Sequence, residues 1–102
     1  MIVLTVMYPN TTESHFDLAY YLDVHIPMVK DRLGPQGMDS LHLLRGAGSL
    51  DGSPPQFAMI AHMQFASPEQ FQQALTLHGA EIIDDIPKFT DVHPLAQLNE
   101  EV

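Results

Sequence analysis

Two segments of helical period, Phe16 to Leu33 and Ser67 to Pro87, stand between runs rich in strand formers, and that order leaves a chain of this kind few ways to fold. In the first, Leu18, Leu22, Ile26, Val29 and Leu33 recur at spacings of three and four, an apolar stripe that Gly34-Pro35 ends. Pro27 falls inside this pattern, where it removes a backbone donor and crowds the carbonyl of Asp23, so the helix is expected to kink or divide there, beside His25. The second opens on Ser67-Pro68-Glu69-Gln70, with serine as cap, proline at the first helical position and Gln70 placed to complete a capping box. Phe71, Ala74, Leu75, His78 and Ile82 continue its stripe. Ile2 to Tyr8, Met38 to Gly46 and Gln56 to Phe65 read as strands, with a glycine- and proline-rich loop at residues 47–55. Phe89 to Leu98 reads as a last, edge strand interrupted by Pro94.

Strand, helix, strand, strand, helix, strand is the order of the ferredoxin-like α+β fold, βαββαβ, a four-stranded antiparallel sheet with both helices on one face. With 102 residues, 45% of them hydrophobic, residues 1–102 form one domain able to bury its own core. The other sheet face is left bare. Solvent on that face asks for polar residues, yet the first and third strands are apolar on both sides, so a second copy of the sheet is the simplest cover and a homodimer is expected.

Thirteen acidic residues against four basic ones give a net charge of −9, and Lys30, Arg32, Arg45 and Lys88 alone cannot build a phosphate-binding surface. Nucleic acid and anionic membrane are therefore not expected partners. No apolar run reaches the roughly 18 residues of a membrane span, and Met1 to Tyr8 is too short for a signal peptide, which implies a cytoplasmic protein. The absence of cysteine removes disulfides and thiolate chemistry. No serine sits in a Gly-x-Ser-x-Gly turn, and Gly46-Ala47-Gly48 lacks the helix of a phosphate cradle. Six histidines form no His-x-His pair and no pair four apart on a helix, so neither a metal site nor a cofactor is expected.

The sharpest cluster is Asp17, Tyr21 and His25, four apart on one helix flank, where Tyr21 can hydrogen-bond His25 at the rim of the space between helix and sheet. The plainer reading of His25 is a flank histidine bonded near the Pro27 kink. His62, among Ala58, Ile60 and Gln64 in the third strand, is expected to be buried with a hydrogen-bond partner, either as a pocket wall or as a core or interface histidine. Met59 and Met63 flank it and can line an adaptable apolar pocket. His42 and Arg45 face opposite ways, His78 is a boundary residue and His15 is solvated. From Asp84 to Pro94 the chain concentrates carboxylates, Phe89 and His93 around two prolines. Asp84 and Asp85 read as a solvated helix end, although acids are unfavourable at a helix C-terminus, and Asp91 and His93 share a face if the strand has begun.

Tyr20-Tyr21-Leu22-Asp23-Val24-His25-Ile26-Pro27 and Asp85-Ile86-Pro87-Lys88-Phe89-Thr90-Asp91 together resemble the two signatures of the EthD family, as does the first strand leading into Tyr8-Pro9-Asn10. The resemblance covers nearly the whole chain. It implies a dimeric α+β barrel, in which two ferredoxin-like sheets face each other, and an oxidoreductase class. Relatives in that barrel superfamily include cofactor-free monooxygenases, haem-degrading oxygenases and muconolactone isomerases. Its pattern highlights Tyr21, His25, Pro27, Asp85, Pro87, Phe89, Thr90 and Asp91. The expected function is that of a small enzyme acting on a hydrophobic, aromatic or cyclic carbonyl compound in the cleft between sheet and helices. His25 exchanges the proton, Tyr21 orients it, and Asp91 fixes charge, while His62, Phe89 and Met59 line the pocket. The alternative is a non-catalytic accessory or small-molecule-binding protein.

Overall fold

The computed structural model describes residues 1–102. Four strands, β1 (Ile2–Pro9), β2 (Met38–Arg45), β3 (Phe57–Phe65) and β4 (Leu95–Glu100), form one antiparallel sheet in the order β2-β3-β1-β4. The apolar first strand takes a central place, paired with both β3 and β4, so that Thr5 lies opposite His62 on one side and Gln97 on the other. The helices cover the face carrying Leu4, Val6, Tyr8, Met59, Ala61, Met63 and Phe65.

The first helical segment runs as α1 (Leu18–Tyr20), a π-helical turn (Tyr21–His25) and α2 (Ile26–Leu33). Asp17 caps its start by accepting the backbone N–H of Tyr20. The break expected at Pro27 is present, one turn earlier than the proline itself: Ile26 donates to the carbonyl of Tyr21, five residues back. Proline has no N–H for the carbonyl of Asp23, and the wide turn takes up the extra residue. It also rotates the helix. Tyr21 and His25 turn inward, while Leu22, expected in the buried stripe, is exposed. His25 is correspondingly deeper than the rim position its spacing suggested.

A short 3₁₀ turn, Gly34–Gln36, ends on Gly37, whose φ of 100° is the left-handed conformation that glycine adopts without strain. Helix α3 (Pro68–Asp85) begins at the Ser67 cap as expected and passes into a 3₁₀ turn, Ile86–Lys88. The last strand starts later than Phe89. Residues 89–91 are tied to residues 15–17 instead: Asp17 N–H donates to the Phe89 carbonyl, and Phe16 and Thr90 form an isolated bridge. Pro94 then precedes β4, so Asp91 and His93 share no strand face.

Two buried clusters fill the space between sheet and helices. One joins Val29, Leu33, Ala61, Met63, Phe65, Phe71 and Ala74; the other joins Tyr8, Tyr21, Ile26, Met59 and Phe89. No helix covers the opposite face, where Thr5, His62 and His42 form a central row among Val3, Met7, Ile60 and Leu44. No helix is long and apolar enough to cross a membrane.

Candidate functional site

The π-helical turn aims His25 at the end of α3, where its Nδ1 lies 2.9 Å from Oδ2 of Asp85. The other carboxylate oxygen of Asp85 accepts the Tyr20 hydroxyl at 2.8 Å, and Lys88 Nζ approaches it at 3.6 Å. Asp85 is buried, which corrects its reading as a solvated helix end and answers why an acid is tolerated at a helix C-terminus. Three donors offset the unfavourable dipole. Tyr21 does not hydrogen-bond His25 as its spacing suggested; the two rings stack at 5.6 Å with planes 19° apart, and Phe89 packs against both, 4.6 Å from His25 and 5.1 Å from Tyr21.

Burial pushes the His25 imidazole below its ordinary pKa, and the opposing pull of Asp85 does not restore it. Burial pushes the Asp85 carboxyl up, but the bonds from His25 and Tyr20 outweigh it and hold the group below its ordinary value. The pair is thus a neutral imidazole donating from Nδ1 to an ionised carboxylate, which fixes the tautomer and leaves Nε2 as the basic nitrogen. Nε2 makes no bond within the protein and is not fully covered. A carboxylate that orients a histidine in this way prepares it for proton transfer.

The remaining signature residues lace two connections together. Thr90 donates its hydroxyl to the His15 carbonyl at 2.6 Å, and Asp91 Oδ1 accepts the His15 N–H at 2.8 Å. Asp91 is therefore first a strut between residues 15 and 91, with its second oxygen uncommitted.

Beside this cluster lies a cavity of about 1030 Å³ between α3 and the strands β1 and β4. Leu4, Val6, Phe65, Ala74, Ile82 and Leu98 give it apolar walls, and Thr90, Asp91, Val92 and His93 line one end. Tyr8 lines it too. It is 3% exposed, touches Tyr21 and Phe89, and has no hydrogen-bond partner for its hydroxyl. His25 itself does not line the cavity, because Tyr21 and Phe89, each against both His25 and Tyr8, stand between them.

His25, Tyr21, Phe89 and Met59 are thus brought together, Asp91 stands at the cavity, and His62 lies on the other sheet face. There His62 is half-buried and meets Thr5 Oγ1 at 3.1 Å, opposite His42 in the sheet. Nowhere do three His, Asp or Glu side chains converge as ligands for a metal ion. Residue spacing alone missed Tyr8, Tyr20 and the pairing of Asp85. The acid at the helix end was the signal for Asp85; nothing in the first strand set Tyr8 apart from a core aromatic.

No curated protein matches the chain. Among solved structures it is similar to an EthD-like protein from Ralstonia eutropha JMP134, at 44% identity and a TM-score of 0.88 over 97% of this chain and 89% of that one. It is also similar to an ethyl tert-butyl ether degradation (EthD) family protein from Bacillus halodurans C-125, at 19% identity and a TM-score of 0.73 over 100% of this chain and 99% of that one. A dimeric ferredoxin-like protein from an uncultured marine organism shares the fold at 12% identity, with a TM-score of 0.51 over 100% and 99% of the two chains. The EthD domain model matches residues 9–93, the span that holds the His25–Asp85 pair and the strut from Thr90 and Asp91 to His15, and the chain belongs to the EthD family.

Proposed function

We propose that this chain is a small cytoplasmic enzyme that performs acid–base chemistry on a hydrophobic, ring-bearing carbonyl compound held between sheet and helices. His25 is its proton-transfer residue, held by Asp85 and stacked on Tyr21. The observation that carries this reading is the buried, carboxylate-oriented imidazole with a free Nε2, one aromatic layer from an apolar cavity. Asp91 offers its uncommitted oxygen at the cavity end, and Phe89 and Met59 form the wall behind Tyr8. A second copy covers the open sheet face, as its apolar residues require; the dimeric ferredoxin-like relative supports that arrangement.

The test is turnover of cyclic and aromatic ketones followed by mass spectrometry, with the wild type and His25→Ala compared in air and under argon. Loss of turnover in a folded His25→Ala protein supports the assignment, and retained turnover sinks it. Oxygen dependence of the wild-type product decides whether the oxidoreductase, monooxygenase-type chemistry implied by the family applies.

One observation favours a second reading, binding without conversion: His25 stands behind Tyr21 and Phe89 rather than in the cavity wall. A compound recovered unaltered, with an affinity that His25→Ala leaves unchanged, identifies an accessory or carrier protein.

A further inference from the structure

The cavity carries a chemical preference of its own, set by one phenol and by the charges around it. Tyr8 is almost wholly buried, and its ring is held by Phe16, Tyr21 and Phe89 at centroid distances of 5.3 to 5.9 Å in edge-on geometry, so it cannot swing out to solvent. Its hydroxyl bonds to no protein group, no fully covered side-chain oxygen in the chain is left unpartnered, and the residue lines the cavity. Burial raises this phenol far above its ordinary pKa, which keeps it a donor throughout the physiological range. A fixed O–H beside apolar neighbours such as Leu4 and Val6 is the complement of an acceptor on a ligand.

The charges act in the opposite sense. Among the 24 residues around the cavity are two aspartates, Asp84 and Asp91, and no lysine or arginine. An anionic ligand leaving water here meets carboxylates and no fixed cation, and the chain's charge of −9 adds to the penalty. About 1030 Å³ lies at the upper end of the range for small-molecule pockets and admits two or three fused rings.

We infer that the cavity takes an uncharged compound of two or three fused rings whose carbonyl oxygen accepts a hydrogen bond from the Tyr8 hydroxyl, and that it rejects the corresponding carboxylates. This rests on the cavity being the binding site, as proposed above, and adds the class of its ligand.

The experiment compares three probes of equal ring size, 2-acetylnaphthalene, 2-ethylnaphthalene and 2-naphthoate, by calorimetric titration at pH 7 against the wild type and Tyr8→Phe. The ketone is expected to lose about three- to tenfold in affinity on Tyr8→Phe, the size of one hydrogen bond, while the hydrocarbon changes by less than about twofold. Naphthoate is expected to bind the wild type at least about tenfold more weakly than the ketone. The carbonyl stretch of the ketone bound to the wild type gives a reading independent of any variant: a hydrogen-bonded frequency is expected, and a frequency like that in hexane overturns Tyr8 as donor. Equal loss of ketone and hydrocarbon, or no loss of either, also overturns it, and naphthoate binding as tightly as the ketone overturns the rejection of anions. Those outcomes leave the cavity standing as a binding site. Failure of all three probes to bind removes that site, and this inference with it.

Discussion

His25 and Asp85, sixty residues apart in the chain, meet at 2.9 Å and clamp the break in the first helical segment to the end of α3. The contact serves stability as well as chemistry, because removing either partner strands a buried polar group. Asp85→Ala is expected to cost about 2 to 4 kcal/mol in urea unfolding, since His25 and Tyr20 both lose their acceptor. Asp85→Asn keeps one acceptor oxygen and is expected to cost less. Equal stability of Asp85→Ala and the wild type contradicts the clamp.

The same pair sets a pH dependence. His25 is held below its ordinary value of 6.5, so the unfolded chain takes up a proton there that the folded chain refuses. Its contribution to stability is complete above pH 6.5 and is lost as pH falls from there through the folded pKa. Asp85 is held below its ordinary value of 3.8, so its contribution is complete above that pH and is lost as pH falls through its own lower folded value. Urea midpoints measured from pH 8 to 5 are expected to decline in the wild type and to decline less in His25→Phe. Parallel curves refute this assignment to His25.

Asp91 separates strut from chemistry. Asp91→Asn preserves an oxygen for the His15 N–H and is expected to keep the melting temperature within about 2 °C, whereas Asp91→Ala loses the bond and about 1 kcal/mol. Under the proposed activity, Asp91→Asn lowers turnover while stability holds; unchanged turnover in that variant confines Asp91 to the strut. Thr90→Val is expected to cost about 1 kcal/mol through loss of the bond from the buried Thr90 to the His15 carbonyl.

At the end of the β2–β3 pairing, a side chain on Gly46 would meet the Phe57 carbonyl oxygen at 2.1 Å, a backbone atom that cannot move aside alone. Gly46→Ala is expected to lower the thermal midpoint by several degrees, about 1 to 3 kcal/mol, as measured by circular dichroism. A neutral outcome means that the hairpin shifts at little cost.

The open sheet face carries the proposed dimer. Ile60→Glu on that face is expected to convert a dimer into a monomer in light scattering after size exclusion, with the fold retained. A wild type that runs as a monomer at micromolar concentration excludes the second copy as its cover.

Element order, the Ser67 cap and the alternation in β3 were legible in the chain because each rests on local periodicity or capping chemistry. The late start of β4 was not, because the competitor for residues 89–91 is a distant segment, residues 15–17, and no local pattern announces that pairing. Pro27 announced a break, but its form, a wide turn one turn before the proline, decides that Tyr21 and His25 face inward and Leu22 outward. The family pattern marked Asp85, Phe89 and Thr90 without their roles; those emerged from contacts across the fold. Tyr8 looked like core because its ring is core, and only its hydroxyl departs from that.

The π-helical turn makes this site tolerant of chain length at one point. Each residue added to or removed from an ordinary helix rotates the downstream turns by about 100°, but the wide turn already absorbs one residue, so deleting Leu22 or Asp23 returns the segment to ordinary helical winding with Tyr21 and His25 close to their present directions. The imidazole then still faces Asp85 from a helix one residue shorter. A homologue with the same residues at a spacing shorter by one therefore holds the geometry of the motif without its exact letters.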